Sequence, residues 1–165
     1  MRHLSPLLLT AGLVVAVSVS ALAGQKPPAA APGSKAGSIK ACSLVTRAEV
    51  KKLLPWAPHV DQLPEEEQPI GSTGSSCAYP TVVIQVLQGS SGMIEAAKKQ
   101  DELEAVPGLG EEAYFRNNKN RYAEVFVKTG NYVVTLQGDV PTGKTPESIK
   151  PSVVALARLL VEKLR

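Results

Sequence analysis

The chain has 165 residues, with 18 basic against 15 acidic side chains, a formal net charge of +3 and 44% hydrophobic residues. That suffices for one domain with a real core. The charge is small and scattered, so no nucleic-acid partner is expected, and aromatics at 4% of the chain leave few stacking platforms for bases or sugars.

Arg2 and His3 precede an apolar run from Leu7 to Val19, and Ala21-Leu22-Ala23 closes it. A charged start, an apolar stretch and an A-x-A site form the pattern of a secretory signal peptide over residues 1–23. The run is short for a bilayer and Gln25-Lys26-Pro27-Pro28 follows at once, so no stable membrane span is expected after cleavage. The expected location is exported, periplasmic or secreted. Residues 24–41 are rich in Pro, Ala, Gly, Ser and Lys and read as a flexible tether. A single α+β domain is expected over 42–165.

Two cysteines lie in that domain, Cys42 and Cys77. In an oxidising compartment an even pair reads as one disulfide. On the loop-entropy model its closure removes about 4 kcal/mol of unfolded-chain entropy. A metal site needs more ligands than His59 and two thiols, and a redox pair is usually a close C-x-x-C.

Thr46-Arg47-Ala48-Glu49 has the form of a capping box, with Val45 and Val50 placed as a hydrophobic staple. The helix it opens stops before Pro55. Residues 55–76 read as a long loop with four prolines, an acidic run at Glu65, Glu66 and Glu67, and a Gly/Ser-rich end. Those glutamates read as solvated, since three adjacent carboxylates are poor calcium-site material. Cys77 to Tyr79 and Thr81 to Leu87 read as strands. The second is nearly continuous in apolar residues, which predicts cover on both faces. Ser91 can cap a helix from Gly92 to about Glu104, with Met93, Ala96, Ala97 and Leu103 as its modest apolar positions. This helix is expected to be the more exposed one. Ala113 to Arg116 is a short strand.

Arg121 to Lys128 and Tyr132 to Gln137 form the clearest hairpin, turning at Gly130-Asn131. Its register pairs Val127 with Val134 and Val125 with Leu136 on one face, and Phe126 with Thr135 and Glu124 with Gln137 on the other. Thr145-Pro146-Glu147 and Lys150-Pro151 are competing helix starts, and Pro151 fits best at the first helical position. Val153, Leu156, Ala157, Leu160 and Leu164 then make an apolar helical stripe. This order predicts an α+β fold, a mostly antiparallel sheet packed by helices.

Cys42-Ser43-Leu44-Val45-Thr46-Arg47-Ala48-Glu49-Val50, then Cys77-Ala78-Tyr79, then Pro107-Gly108-Leu109-Gly110-Glu111-Glu112-Ala113-Tyr114 occur in this order before a closing amphipathic helix. Together they resemble a family of small exported bacterial proteins, many of them actinobacterial lipoproteins, grouped as a domain of unknown function. Related secreted proteins have the α/β/α sandwich of PsbP, the extrinsic photosystem II subunit, so the resemblance implies that fold. It brings no established catalytic residues. Many members carry a lipid-modified cysteine after the signal, and this chain has none there.

A nucleophilic enzyme needs an activated Ser, Cys or Thr with a base in reach. Both cysteines are assigned to each other, and His59 follows Pro58 in a loop without a partner motif. Glu111 and Glu112 are adjacent at a strand entry and should point apart, which disfavours acid–base work. Gly108-Leu109-Gly110 lacks the spacing of a phosphate loop and reads as a tight turn. No enzymatic activity, metal or cofactor is expected. Arg116, Asn117, Asn118, Lys119, Asn120 and Arg121 form a polar, basic hairpin end and the candidate contact site for an envelope protein or polymer. The expected function is an exported, non-enzymatic binding or interaction module. The alternative is a carrier or sensor of a small apolar ligand held between helix and sheet.

Overall fold

The computed structural model describes residues 39–57, 59–60, 62, 64–89, 92–100, 103–118 and 121–165. The expected leader and most of the expected tether lie outside them. So do Ser91, Lys119 and Asn120. Ala41 is fully buried and Ile39 packs against the core, so the fold takes up the chain slightly before the expected boundary at residue 42.

Two short helices open the described fold, α1 (Ala41–Leu44) and α2 (Arg47–Leu53). The capping box of α2 is made on both sides. The Thr46 hydroxyl accepts from the Glu49 amide at 3.2 Å, and the Thr46 amide donates to the Glu49 carboxylate at 2.8 Å. The staple residues Val45 and Val50 are both in the core. Cys42 in α1 is disulfide-bonded to Cys77, with 4.9 Å between Cα atoms.

Seven strands follow in one antiparallel sheet: β1 (Glu66–Ile70), β2 (Gly74–Tyr79), β3 (Val82–Gln88), β4 (Glu104–Ala105), β5 (Glu112–Asn118), β6 (Tyr122–Thr129) and β7 (Tyr132–Asp139). Their spatial order is β1-β2-β3-β7-β6-β5-β4. The helix α3 (Gly92–Gln100) carries the chain from the middle of the sheet to its far edge. The chain then meanders back until β7 pairs with β3. The closing helix α4 (Pro146–Leu164) lies over β5, β6 and β7. The α+β class is as the sequence predicts, with the sheet open rather than closed on itself. The register of the β6–β7 hairpin is also as predicted, with Val127 opposite Val134, Val125 opposite Leu136, Phe126 opposite Thr135 and Glu124 opposite Gln137.

Several expectations need correction. Residues 66–70 and 74–76 are not loop: the first are the edge strand β1, turning at Gly71 to Thr73, and the second begin β2. Pro69 is compatible with an edge strand because it has no amide to offer the ladder. The helix α3 ends at Gln100, and residues 104–105 are the short strand β4. Its buried positions are Ile94 and Ala97, while Ala96 is exposed. The helix α4 starts at Pro146, where Thr145 and Ser148 form a second capping box, and Pro151 stands inside the helix. Two reciprocal cap bonds at Thr145 hold the first turn, and exposed Pro151 costs the helix one bond to the Glu147 carbonyl on its solvent side.

The fourth correction concerns β3. Val82, Ile84 and Val86 are buried, but Val83, Gln85 and Leu87 are only half-buried. One face of this apolar strand is fully buried and the other only in part. In β6 and β7 the central residues on both faces are buried, because α4 covers one face there and α3 the other.

The core therefore has two unequal parts. On the first face, α4 places Ile149, Val153, Leu156, Ala157 and Leu160 over the β5–β7 half with Val125, Val127, Val134 and Leu136, and Ile84 and Val86 of β3 continue the same core, all at 1% exposure or less. Trp56 packs there too, its ring 3.3 Å from the position a side chain at Gly138 would take. On the second face, Ile94 and Ala97 of α3 meet Phe126 and Val133, with Met93, Leu103 and Tyr114 beside them.

Candidate functional site

Strand alternation sorts the expected contact residues onto different sides of the sheet. The Arg116 guanidinium pairs with the Glu124 carboxylate on the second face and lies 5.1 Å from the centre of the Phe126 ring. Asn117 turns the other way and donates from Nδ2 to Glu147 of α4 at 2.6 Å. Asn118 ends β5, and Arg121 stands in the turn just before β6 with its guanidinium 5.2 Å from the Tyr122 ring. Arg116 and Asn117 thus fasten β5 to its neighbours on opposite sides, while Lys119 and Asn120 lie outside the described residues.

The register builds the second face row by row. One row reads Ser76, Gln85, Thr135, Phe126 and Tyr114 across β2, β3, β7, β6 and β5. The next reads Ala78, Val83, Gln137, Glu124 and Arg116. Helix α3 covers the Phe126 end of these rows. Among the described residues no helix packs on the β1–β3 half from this side, since α1 meets β2 and β3 from the first face. The open half combines half-buried Val83 and Leu87 with the polar side chains of Ser76, Gln85 and Gln137. Thr135 stands at the seam. Its side chain is buried, with 9% of the residue exposed, and its hydroxyl has no hydrogen-bond partner. Such a group normally has one.

The opposite side of the same half is firmly closed. Glu67 of β1 accepts from the amides of Ala41 and Cys42 at 2.9 and 2.8 Å and from the Ser75 hydroxyl. Cys42, Glu67 and Cys77 lie close enough to suggest a ligand set. Both sulfurs are bonded to each other and the carboxylate holds the start of α1, so the cluster is a brace. The expected solvated reading of this acidic run holds for Glu66, but Glu67 anchors α1 and Glu65 pairs with Arg47. Arg47 and local hydrogen bonding hold the Glu65 carboxyl below the usual carboxylate range, a backbone bond contributing most. Tyr79 donates to the Val45 carbonyl at 2.9 Å, and burial pushes its hydroxyl up to about 12.

The titratable groups weighed for catalysis are engaged elsewhere. His59 Nδ1 lies 2.9 Å from the Gln62 amide oxygen on the surface. Glu111 accepts from the Gly130 amide at 2.9 Å, whereas Glu112 pairs with Lys98 of α3 and accepts from the Tyr114 hydroxyl at 2.8 Å. The two carboxylates point apart, and the Lys98 ammonium holds the Glu112 carboxyl below its ordinary value. Lys98 is raised in turn by Glu112 and Glu95. Gly108 and Gly110 both have positive φ, as the tight-turn reading requires. A side chain at Gly110 would meet the Lys128 carbonyl at 2.4 Å.

A groove of about 320 Å³ runs between α2 and α4, floored by Leu53, Ala155 and Leu159. Glu49 bridges its end, accepting from Lys163 at 2.7 Å while still serving the α2 cap. Lys163 and the Thr46 amide together push the Glu49 carboxyl down to about 2. Uncommitted charges of both signs, Lys52, Arg158 and Glu162, line this groove, so it selects no ligand charge.

The open half of the second face is the surface that sequence reasoning missed. Its signal was β3 itself, a strand composed for burial on both sides. Compared with known proteins, the chain matches no family model, no curated protein and no solved structure.

Proposed function

We propose that this chain is an exported, non-enzymatic binding module, and that its contact surface is the open half of the second sheet face. One observation carries the reading: β3 presents Val83, Gln85 and Leu87 beside an unpartnered Thr135 hydroxyl, with no described helix over them. A strand rich in apolar residues is ordinarily covered, and an uncovered one is a place for a partner. The leader-like start of the chain and the Cys42–Cys77 bond support export, since such bonds persist in oxidising compartments. The partner class that fits is a component of the envelope, a protein or a polymer.

Two further features favour contact over chemistry. The carboxylates weighed as acids and bases are held by ammonium or amide groups rather than aimed together. The resemblance to exported domains, carried by the three short motifs, brings no catalytic residues. Carriage of an apolar ligand between helix and sheet has less support, because the α4 side chains at 1% exposure or less occupy that layer.

The test has two readouts on the full chain expressed in its own host. Fractionation should place it outside the cytoplasm with Cys42 and Cys77 joined. A photo-crosslinking residue at Gln85 should capture an envelope component, whereas one at Lys52 should not. Cytosolic protein with both thiols reduced, or equal capture from the two positions, refutes the reading.

A further inference from the structure

We propose that the ligand of the open sheet face is an uncharged glycan, an inference that rests on reading this face as the contact surface. The polar side chains there, Ser76, Gln85 and Gln137 with Thr135 at the seam, are all neutral and make no side-chain hydrogen bond to the described residues. Amides and hydroxyls each donate and accept, so they match a ligand whose groups do both, as sugar hydroxyls do.

Charge points the same way. Beside this half the Glu124 carboxylate is already paired with Arg116. Glu66, on the row of Val83, adds a lone negative charge at the edge. Strands β1, β2, β3 and β7 carry no lysine or arginine, so a phosphate or carboxylate polymer would lose water on these rows without gaining an ion pair there. A protein partner would be expected to meet aromatic, Met or Arg anchors, and the rows across β1, β2 and β3 supply none.

Geometry favours a linear chain. Successive strands lie about 4.8 Å apart, close to the length of one pyranose unit, so the half-buried Ser76 and Gln85 on neighbouring strands stand about one sugar apart, with Gln137 on the next strand in the adjacent row. Val83 and Leu87 flank Gln85 on the same face and can meet the C–H faces of the rings. Edge pairing with a peptide strand is disfavoured at β1, where Pro69 and the acidic residues blunt the edge.

The experiment is native affinity electrophoresis of the full chain, disulfide intact, in gels holding laminarin, hydroxyethyl cellulose, dextran or, as the polyanion, heparin. Retardation by at least one neutral glycan is expected, unchanged by added salt. The double variant Gln85→Ala, Gln137→Ala should weaken it about tenfold or more, with an unchanged melting temperature, and Arg158→Ala should leave it intact. Absence of retardation by every neutral glycan, retardation that survives the double variant, or retardation by heparin alone that salt abolishes would each overturn the proposal. If the glycan gels are negative but Gln85 still crosslinks an envelope protein, the glycan inference fails and the binding-module reading stands. If both are negative, both fail.

Discussion

The two faces of one sheet differ more in this protein than any two of its elements. The first face is closed by α4, α1 and α2, is apolar to the centre, and is fixed by a disulfide, two capping boxes and the Glu67 anchor. The second face has one nine-residue helix over its β5–β7 half, a small apolar cluster and a buried ion pair, and nothing described over the rest. The difference shows how a domain can locate its stability on one side of a sheet and leave the other available for contact. An antiparallel sheet permits this because its two faces are built from alternate residues of the same strands.

The sharpest way to break the comparison is to weaken the closed face. Leu156→Ala removes a fully buried side chain between α4 and the sheet and should cost about 3–5 kcal/mol, measured by denaturant unfolding. An equal loss from Val83→Ala would contradict the contrast, because Val83 should give less than about 1 kcal/mol. Next comes the disulfide. Replacing Cys42 and Cys77 together by Ala should lower stability by about 3 kcal/mol, seen as a fall in melting temperature that reducing agent reproduces in the parent chain.

On the second face the largest expected effect is at Arg116. Arg116→Ala leaves Glu124, only 5% exposed, without its cation and should cost about 2 kcal/mol. Glu124→Gln in the same background should recover part of the loss in a double-mutant cycle.

A smaller effect concerns pH and returns to the closed side. The Glu49 carboxyl is depressed from 4.5 to about 2, so its folded state holds fewer protons than the unfolded chain in that interval. Its contribution is present above about 4.5 and is lost as pH falls towards about 2. Glu49→Gln should therefore flatten part of the acid limb of a stability profile, and Lys163→Gln should do the same. The smallest effect belongs to the open half: Gln85→Ala and Gln137→Ala should each change stability by less than about 0.5 kcal/mol. A larger loss would mean that these amides serve the fold.

Local sequence chemistry was legible wherever bonds are short in range. The Thr46 box, the Gly130-Asn131 hairpin with its register and the apolar stripe of α4 could all be read from spacing, because each is decided within a few residues. Acidic β1 was not legible, since an edge strand with Pro69 has the composition of a loop and becomes a strand only by pairing with β2. Pro151 misled for a related reason: proline marks a helix start on average, but the Thr145 cap three-dimensionally secures an earlier one. Nor was it legible that Arg116 and Asn117 of the expected site serve opposite sides of the sheet, because a sequence lists neighbours without showing which partners distant elements bring to each face.

The sequence by itself determined the α+β class, the pairing of two cysteines, the caps and the central hairpin. Only the tertiary structure decided that β7 joins β3, that α3 covers just one end of the second face, and that β3 therefore keeps an open side. The reason is physical. Periodicity and capping report which residues are suited to burial, whereas cover depends on where distant elements come to rest, and no local pattern in β3 encodes the reach of a nine-residue helix that follows it.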